Sequence, residues 1–192
     1  YLPPFDGGVD VPDIPNEPRL GAPYPVVLAH GFFRFEDFAG VDFVQYFFGV
    51  KDALEEDGEL LVLTPAVDPF NDSTHRGEQL LAHVEAFLEE TGHAKVNLIG
   101  HSQGGLDVRY VASVRPDLVA SATTFSTPHA GTPLLDFVVS ASEDSALRPL
   151  LDDIVRIIGA PLWDAVGDET SLFAAVRQLS ASGADDFAMR YP

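Results

Sequence analysis

Cysteine is absent from the 192 residues, which removes a disulfide framework, a thiolate nucleophile and any Cys-ligated metal from consideration. The redox compartment is left open. Lysine is nearly absent, with only Lys51 and Lys95 present. Against 11 Lys and Arg stand 30 Asp and Glu, for a formal net charge of -19 and a pI near 4.3. A surface this negative repels phosphate backbones and anionic membranes, so nucleic acid is excluded as a partner class. The acidity fits a soluble exported protein or adaptation to high salt, where screening relieves self-repulsion. No apolar run approaches the ~18 residues of a transmembrane helix. No charged-then-apolar leader precedes Tyr1, so an export signal would have been removed or left out of this sequence. GxGxxG, P-loop, HExxH and EF-hand patterns are all missing, so no nucleotide or metal site is legible.

What remains suffices for one domain. Hydrophobic residues make up 46 % of the chain, and domains cluster near ~100–200 residues. Residues 1–23 read as an extended arm, because Pro3, Pro4, Pro12, Pro15, Pro18 and Pro23 fix φ and remove donors. Residues 24–132 read as an α/β core, and residues 133–192 as a helical lid or cap.

Within the core, strand and helix alternate. PVVLAHG (Pro25 to Gly31) is a buried strand ending at glycine. Val41 to Asp57 has helical character, and LLVLTPAV (Leu60 to Val67) is the next strand. Leu80, Leu81, Val84, Phe87 and Leu88 share one helix face over Gly77 to Thr91, with Gly92 as the stop. KVNLIG (Lys95 to Gly100) is a third strand, and Leu106, Tyr110, Val111 and Val114 form a stripe ended by Pro116. Val119 to Phe125 is a fourth strand. This order predicts a parallel sheet. From Pro133 onward the strands stop, and helices are expected over Leu147 to Ile158 and Leu172 to Leu179.

Gly100-His101-Ser102-Gln103-Gly104 is a G-x-S-x-G pentapeptide between a buried strand and an amphipathic helix. That context points to a nucleophile elbow, with Ser102 on a tight turn and Gly100 and Gly104 leaving room for it. The helix start behind Ser102 aims N–H groups at a developing oxyanion, the Gln103 N–H first among them. A second donor belongs on the loop after an earlier strand, and His30-Gly31-Phe32 nominates the Phe32 N–H. Each such donor is worth about 3–4 kcal/mol of transition-state stabilisation.

At these residues a resemblance becomes close. YPVVLAHGFF, THRGEQLLAHVE and KVNLIGHSQGGLDVRYVASVRPDLVASATTFSTPHAGTP together are similar to the true lipases of Pseudomonas and Burkholderia, bacterial family I. The resemblance runs from about Tyr24 to the terminal MRYP. It implies an α/β-hydrolase fold, a secreted triacylglycerol lipase or esterase, and substrates met at a lipid–water interface. It carries Ser102 over as nucleophile, Phe32 and Gln103 as oxyanion donors, and Leu147 to Ile158 as the lid helix. Phe32 and Phe33 stand where aliphatic residues are more usual. The family's triad continues with Asp and then His beyond the lid, and its calcium ligands also lie in that later half. The expectation is therefore a triad His and Asp, and any calcium site, supplied from beyond Pro192, by a companion C-terminal chain or a further segment.

Among internal histidines, His129 in STPHAGTP is the one that follows Ser102 and would emerge on the same sheet edge. In the resembling family this position is an ordinary fold residue, so it is set aside as base. His101 reads as a packing residue inside the elbow, and His30 as a group that orients the oxyanion loop. His75, His83 and His93 read as surface residues, and Asp152-Asp153 and Asp185-Asp186 as solvated acidic faces. Two rivals to the lipase reading stand: a polyester or short-chain ester hydrolase of the same fold, and a non-catalytic binding module that retains the elbow.

Overall fold

The computed structural model describes residues 23–31, 47, 49–58, 61–142 and 166–192. The arm up to residue 22, Phe32 and Phe33, the start of the helix expected from Val41, the lid helix Leu147 to Ile158, and Asp152-Asp153 lie outside the described residues. In chain order the elements are β1 (Val26–Ala29), α1 (Val50–Glu56), β2 (Val62–Leu63), α2 (Ser73–Thr91), β3 (Val96–His101), α3 (Gly104–Val114), a 3-10 turn (Pro116–Leu118) and β4 (Val119–Phe125). Helices α4 (Pro133–Ser142), α5 (Leu172–Gln178) and α6 (Ala181–Arg190) follow. Among the described residues, no helix is long and apolar enough to cross a membrane.

The four strands form one parallel sheet in the order β2-β1-β3-β4. Strand pleat sorts β1 onto two faces. Val27 and Ala29 enter a core with Leu80, Val84 and Leu88 of α2, Leu98 of β3, and Leu106, Val108 and Val111 of α3. Val26 and Leu28 turn to the opposite face with Val62, against Phe47 and Leu54. Leu179 and Phe187, within the segment read as lid or cap, are buried in the first of these cores. Each such side chain, fully buried, contributes about 1.5–3 kcal/mol. Strand β4 pairs with β3 alone among the described residues, and most of its side chains are exposed.

Several elements differ from their sequence reading, each for a local reason. The strand expected over Leu60 to Val67 contracts to Val62–Leu63, since Pro65 has no N–H for the ladder. Helix α2 begins at Ser73, four residues before the expected Gly77. The Asp72 side chain there accepts from Thr74 N at 2.8 Å and His75 N at 3.1 Å, satisfying two first-turn donors. Helices α4 and α6 fall within residues 133–192, read as helical without bounds for either; Ser180 caps α6 by accepting from Gly183 N. Replacing Asp72 with alanine is expected to cost about 1–2 kcal/mol, and asparagine to restore most of it. Urea midpoints measure both, and an alanine variant as stable as the parent would show the cap to be redundant.

Candidate active site

The sheet order puts a switch point between β1 and β3: the chain steps outward to β2 and then returns to the other side of β1. Ligand sites in parallel sheets form at such points, beyond the carboxyl ends of the strands. Register makes this concrete. Ala29 pairs with Gly100, so the residues leaving β1 come level with those leaving β3, and the Ala29 and His30 carbonyls lie against Gly104. On the other side, His101 pairs with Phe125, and the Ser102 N–H donates to the Phe125 carbonyl at 3.1 Å.

Ser102 has φ 54, the left-handed region that non-glycine residues seldom occupy. Such a residue costs of order 1–3 kcal/mol and persists where surrounding structure over-determines it. The over-determination is visible in two glycines. A Cβ on Gly100 would lie 2.4 Å from the Gly104 carbonyl oxygen, and one on Gly104 would lie 2.3 Å from that of Ala29. Strand and helix therefore approach as closely as backbones allow, and the serine is lifted onto the turn between them.

Ser102 is half-buried, and among the described residues no side chain hydrogen-bonds to its hydroxyl. Gln103 follows as the cap residue of α3, with helical φ and ψ. Among the described residues no carbonyl accepts from its backbone N–H, which leaves this donor open at a helix N-terminus. Its side chain is buried, and Nε2 donates to the Asn71 carbonyl at 2.8 Å.

That carbonyl belongs to a polar loop that ties distant segments to the elbow. Buried Asp68 accepts from Phe70 N at 2.9 Å, from Asn71 Nδ2 at 3.4 Å and from the Thr170 hydroxyl. Asn71 Nδ2 also donates to the Glu169 carbonyl at 2.7 Å, and Ser73 N donates to Gln178 Oε1 at 2.7 Å. Residues 169–178 thus brace the loop on which the Gln103 side chain rests.

A buried ion pair lies beneath. Arg76 of α2 and Asp107 of α3 are both fully buried, joined by Nε and Nη2 to Oδ2 at 2.9 and 2.8 Å. Burial pushes the Asp107 carboxyl up from its ordinary range, while the Arg76 charge and hydrogen bonds pull it down. The Ser73 hydroxyl favours the charged form from nearby.

The histidines separate by environment. His30 is buried; Val67 N donates to its Nε2 at 3.2 Å, and Nδ1 lies 2.8 Å from the Gly31 carbonyl oxygen. A backbone N–H makes Nε2 the acceptor, so the ring is neutral and Nδ1–H is the donor. His101 packs against Phe125 with ring centroids 4.7 Å apart. His129 is exposed and bonds Thr124 Oγ1 through Nε2 at 3.0 Å; desolvation by neighbouring protein atoms, followed by the Arg109 charge, pushes it down. His83 is exposed and bonds the Ala66 carbonyl, His75 is half-buried 3.7 Å from Glu169, and His93 is half-buried. Asp185 and Asp186 are exposed on α6.

Sequence reasoning passed over Arg76 and Asp107. A signal was present: Arg76 precedes Leu80, Val84 and Leu88 by steps of four, on the stripe of α2 that turns inward. A charge at such a position must be partnered, because an isolated buried guanidinium is prohibitively costly.

The α/β-hydrolase fold family model matches residues 24–155. The chain is 53 % identical over 175 residues to a triacylglycerol lipase of Vibrio cholerae, covering 88 % of this chain and 54 % of that protein. It is 38 % identical over 174 residues to a triacylglycerol lipase of Burkholderia plantarii, covering 88 % and 48 % respectively. It therefore spans about half the length of the curated relatives it matches. In fold it is similar to a Bacillus licheniformis lipase in mature form, with TM-score 0.57, 21 % identity, and coverage of 90 % of this chain and 62 % of that one. With a parallel sheet, a strained serine at the turn after β3 and a family match across most of its length, the chain belongs to the α/β-hydrolase fold family.

Proposed function

We propose that the protein is a secreted carboxylic ester hydrolase, of the triacylglycerol lipase kind, with Ser102 as nucleophile. The observation that carries this reading is the left-handed Ser102 between β3 and α3, next to an open Gln103 N–H. Relatives that are triacylglycerol lipases at 38–53 % identity support the substrate class. In the proposed reaction the Ser102 hydroxyl adds to an ester carbonyl as its proton passes to a histidine. The tetrahedral oxyanion sits on the N–H groups of Gln103 and Phe32, the alcohol leaves with that proton, and water then hydrolyses the acyl-enzyme. The histidine and its orienting aspartate come, in this proposal, from a segment beyond residue 192 or a companion chain. Among the described residues no three His, Asp or Glu side chains converge as a cation requires. The described residues therefore supply no such side-chain set for calcium, and no step runs through one.

The test is labelling of the intact protein with a fluorophosphonate. The expected adduct maps to the peptide carrying Ser102 and is absent from Ser102→Ala. No adduct in a folded sample would favour the binding-module reading, which the unpartnered Ser102 hydroxyl among the described residues keeps alive. Rates on long-chain triglyceride, tributyrin and a polyester film then rank the substrates, with triglyceride expected first.

A further inference from the structure

We propose that the cavity between α5, α6 and the start of α2 is a binding site for a small monocarboxylate. The inference is independent of the reading of Ser102, and none of the residues it uses belongs to the elbow. The cavity has a volume of about 270 Å³. Three donor side chains line it, Arg177 and Gln178 of α5 and Arg190 of α6, and Phe173 and Ala174 add an apolar wall.

These donors are short of acceptors. In a chain with 11 Lys and Arg against 30 Asp and Glu, neither guanidinium forms an ion pair among the described residues. Arg177 makes no side-chain hydrogen bond there either. Arg190 donates Nε to the Asp186 carbonyl at 3.4 Å and lies 5.6 Å from the Tyr191 ring centroid. Gln178 is the sharper observation. It is only 6 % exposed, and Ser73 N donates to its Oε1 at 2.7 Å. A backbone N–H makes that atom the acceptor, so the amide presents the two hydrogens of Nε2 on its other side. Among the described residues nothing accepts from Nε2. A buried amide donor is costly to leave unpaired, and an acceptor entering the cavity relieves it.

Charge and size select the ligand. Two acids share the lining, Asp72 and Asp186. Asp72 turns into the first turn of α2, where it accepts from Thr74 N and His75 N. Two guanidiniums therefore face one uncommitted carboxylate, and that surplus suits a monoanion over a dianion. The paired oxygens of a carboxylate match the planar fork of a guanidinium. The volume lies below the ~300–1,000 Å³ of pockets for drug-sized ligands, which leaves room for a short apolar tail against Phe173. The acid released by ester cleavage belongs to the same chemical class.

Titration of the intact protein with sodium butyrate, at ionic strength held with sodium chloride, tests the site by NMR of arginine Nε–H groups. The Arg177 and Arg190 signals are expected to shift together and saturate with a Kd of about 1 mM. Butyramide, the uncharged analogue, should leave them in place. Arg177→Gln and Arg190→Gln should each weaken butyrate by about 10-fold. Both arginines are exposed, so both variants should keep the wild-type urea midpoint. Gln178→Glu keeps an acceptor for Ser73 N but puts a negative oxygen where the free donor was, and should abolish saturable binding. No saturable shift, equal shifts with butyramide, unchanged affinity in the folded variants, or tighter binding of inorganic phosphate than of butyrate would overturn the proposal. A protein that binds butyrate in this way yet hydrolyses no ester would overturn the hydrolase reading and leave the site standing.

Discussion

Ser102→Ala is expected to lower ester hydrolysis by about 10⁵- to 10⁶-fold, the scale of removing a serine nucleophile from a hydrolase triad. A residue of ~10³–10⁴ over the uncatalysed reaction would remain from oxyanion donors and binding. Stability should hardly change, because alanine has the same Cβ and carries the same strain at φ 54. Ser102→Gly separates the two properties. Glycine relieves the left-handed conformation, so that variant is expected to be equally inactive yet more stable by about 1 kcal/mol. Initial rates on an activated ester and urea midpoints measure both. A glycine variant no more stable than wild type would show that the turn stores no strain.

Loss of the Arg76 charge is expected to be the most damaging single change to stability. Arg76→Met leaves the Asp107 carboxylate buried with neither of its Arg76 bonds, and breaking a buried pair from one side costs about 3–5 kcal/mol. The cost should depend on pH with a definite sign. Burial is the largest influence on Asp107 and raises it above 3.8; deleting Arg76 removes the main opposing influence and raises it further. A group raised on folding contributes its stability below the unfolded-state value and loses it as pH rises through the folded one. The gap between Arg76→Met and wild type should thus be smallest near pH 4 and widen toward neutrality. Asp107→Asn strands a guanidinium that cannot shed its charge and removes the raised carboxyl, so its penalty relative to wild type should shrink toward neutrality, the opposite sign to Arg76→Met. Urea unfolding from pH 4 to 7 gives the two curves, and a flat curve for Arg76→Met would show that Asp107 stays ionised without its partner.

The elements most legible in the sequence are those where one local pattern dominates. Val119–Phe125 is a strand in the structure over the residues expected, and Gly92 ends α2 with φ 71 as its position after Thr91 implied. Boundaries moved where a side-chain bond outweighed hydrophobic spacing. Ser73 and Arg76 lay outside the expected helix, yet both are buried within α2 because Asp72 caps the helix and Asp107 receives the arginine. The bounds of helix α4 were not legible because its apolar residues do not resolve into an inward stripe: Leu134 and Phe137 are each 71 % exposed.

By itself, the sequence determined the elbow. A glycine-flanked serine between an apolar strand and an amphipathic helix is a local arrangement, and local steric demands are written in neighbouring residues. The sequence likewise determined the alternation that makes the sheet parallel and the charge balance that disfavours nucleic acid. Tertiary structure alone decided that the β1 exit stands level with Ser102, that the His30 proton sits on Nδ1, and that Arg76 joins two carbonyls on β1 to a carboxylate on α3. Those three facts depend on strand order and on contacts across 31 to 46 residues of chain. Spacing within a segment carries no information about them, since what meets across a sheet is settled only when the whole core packs.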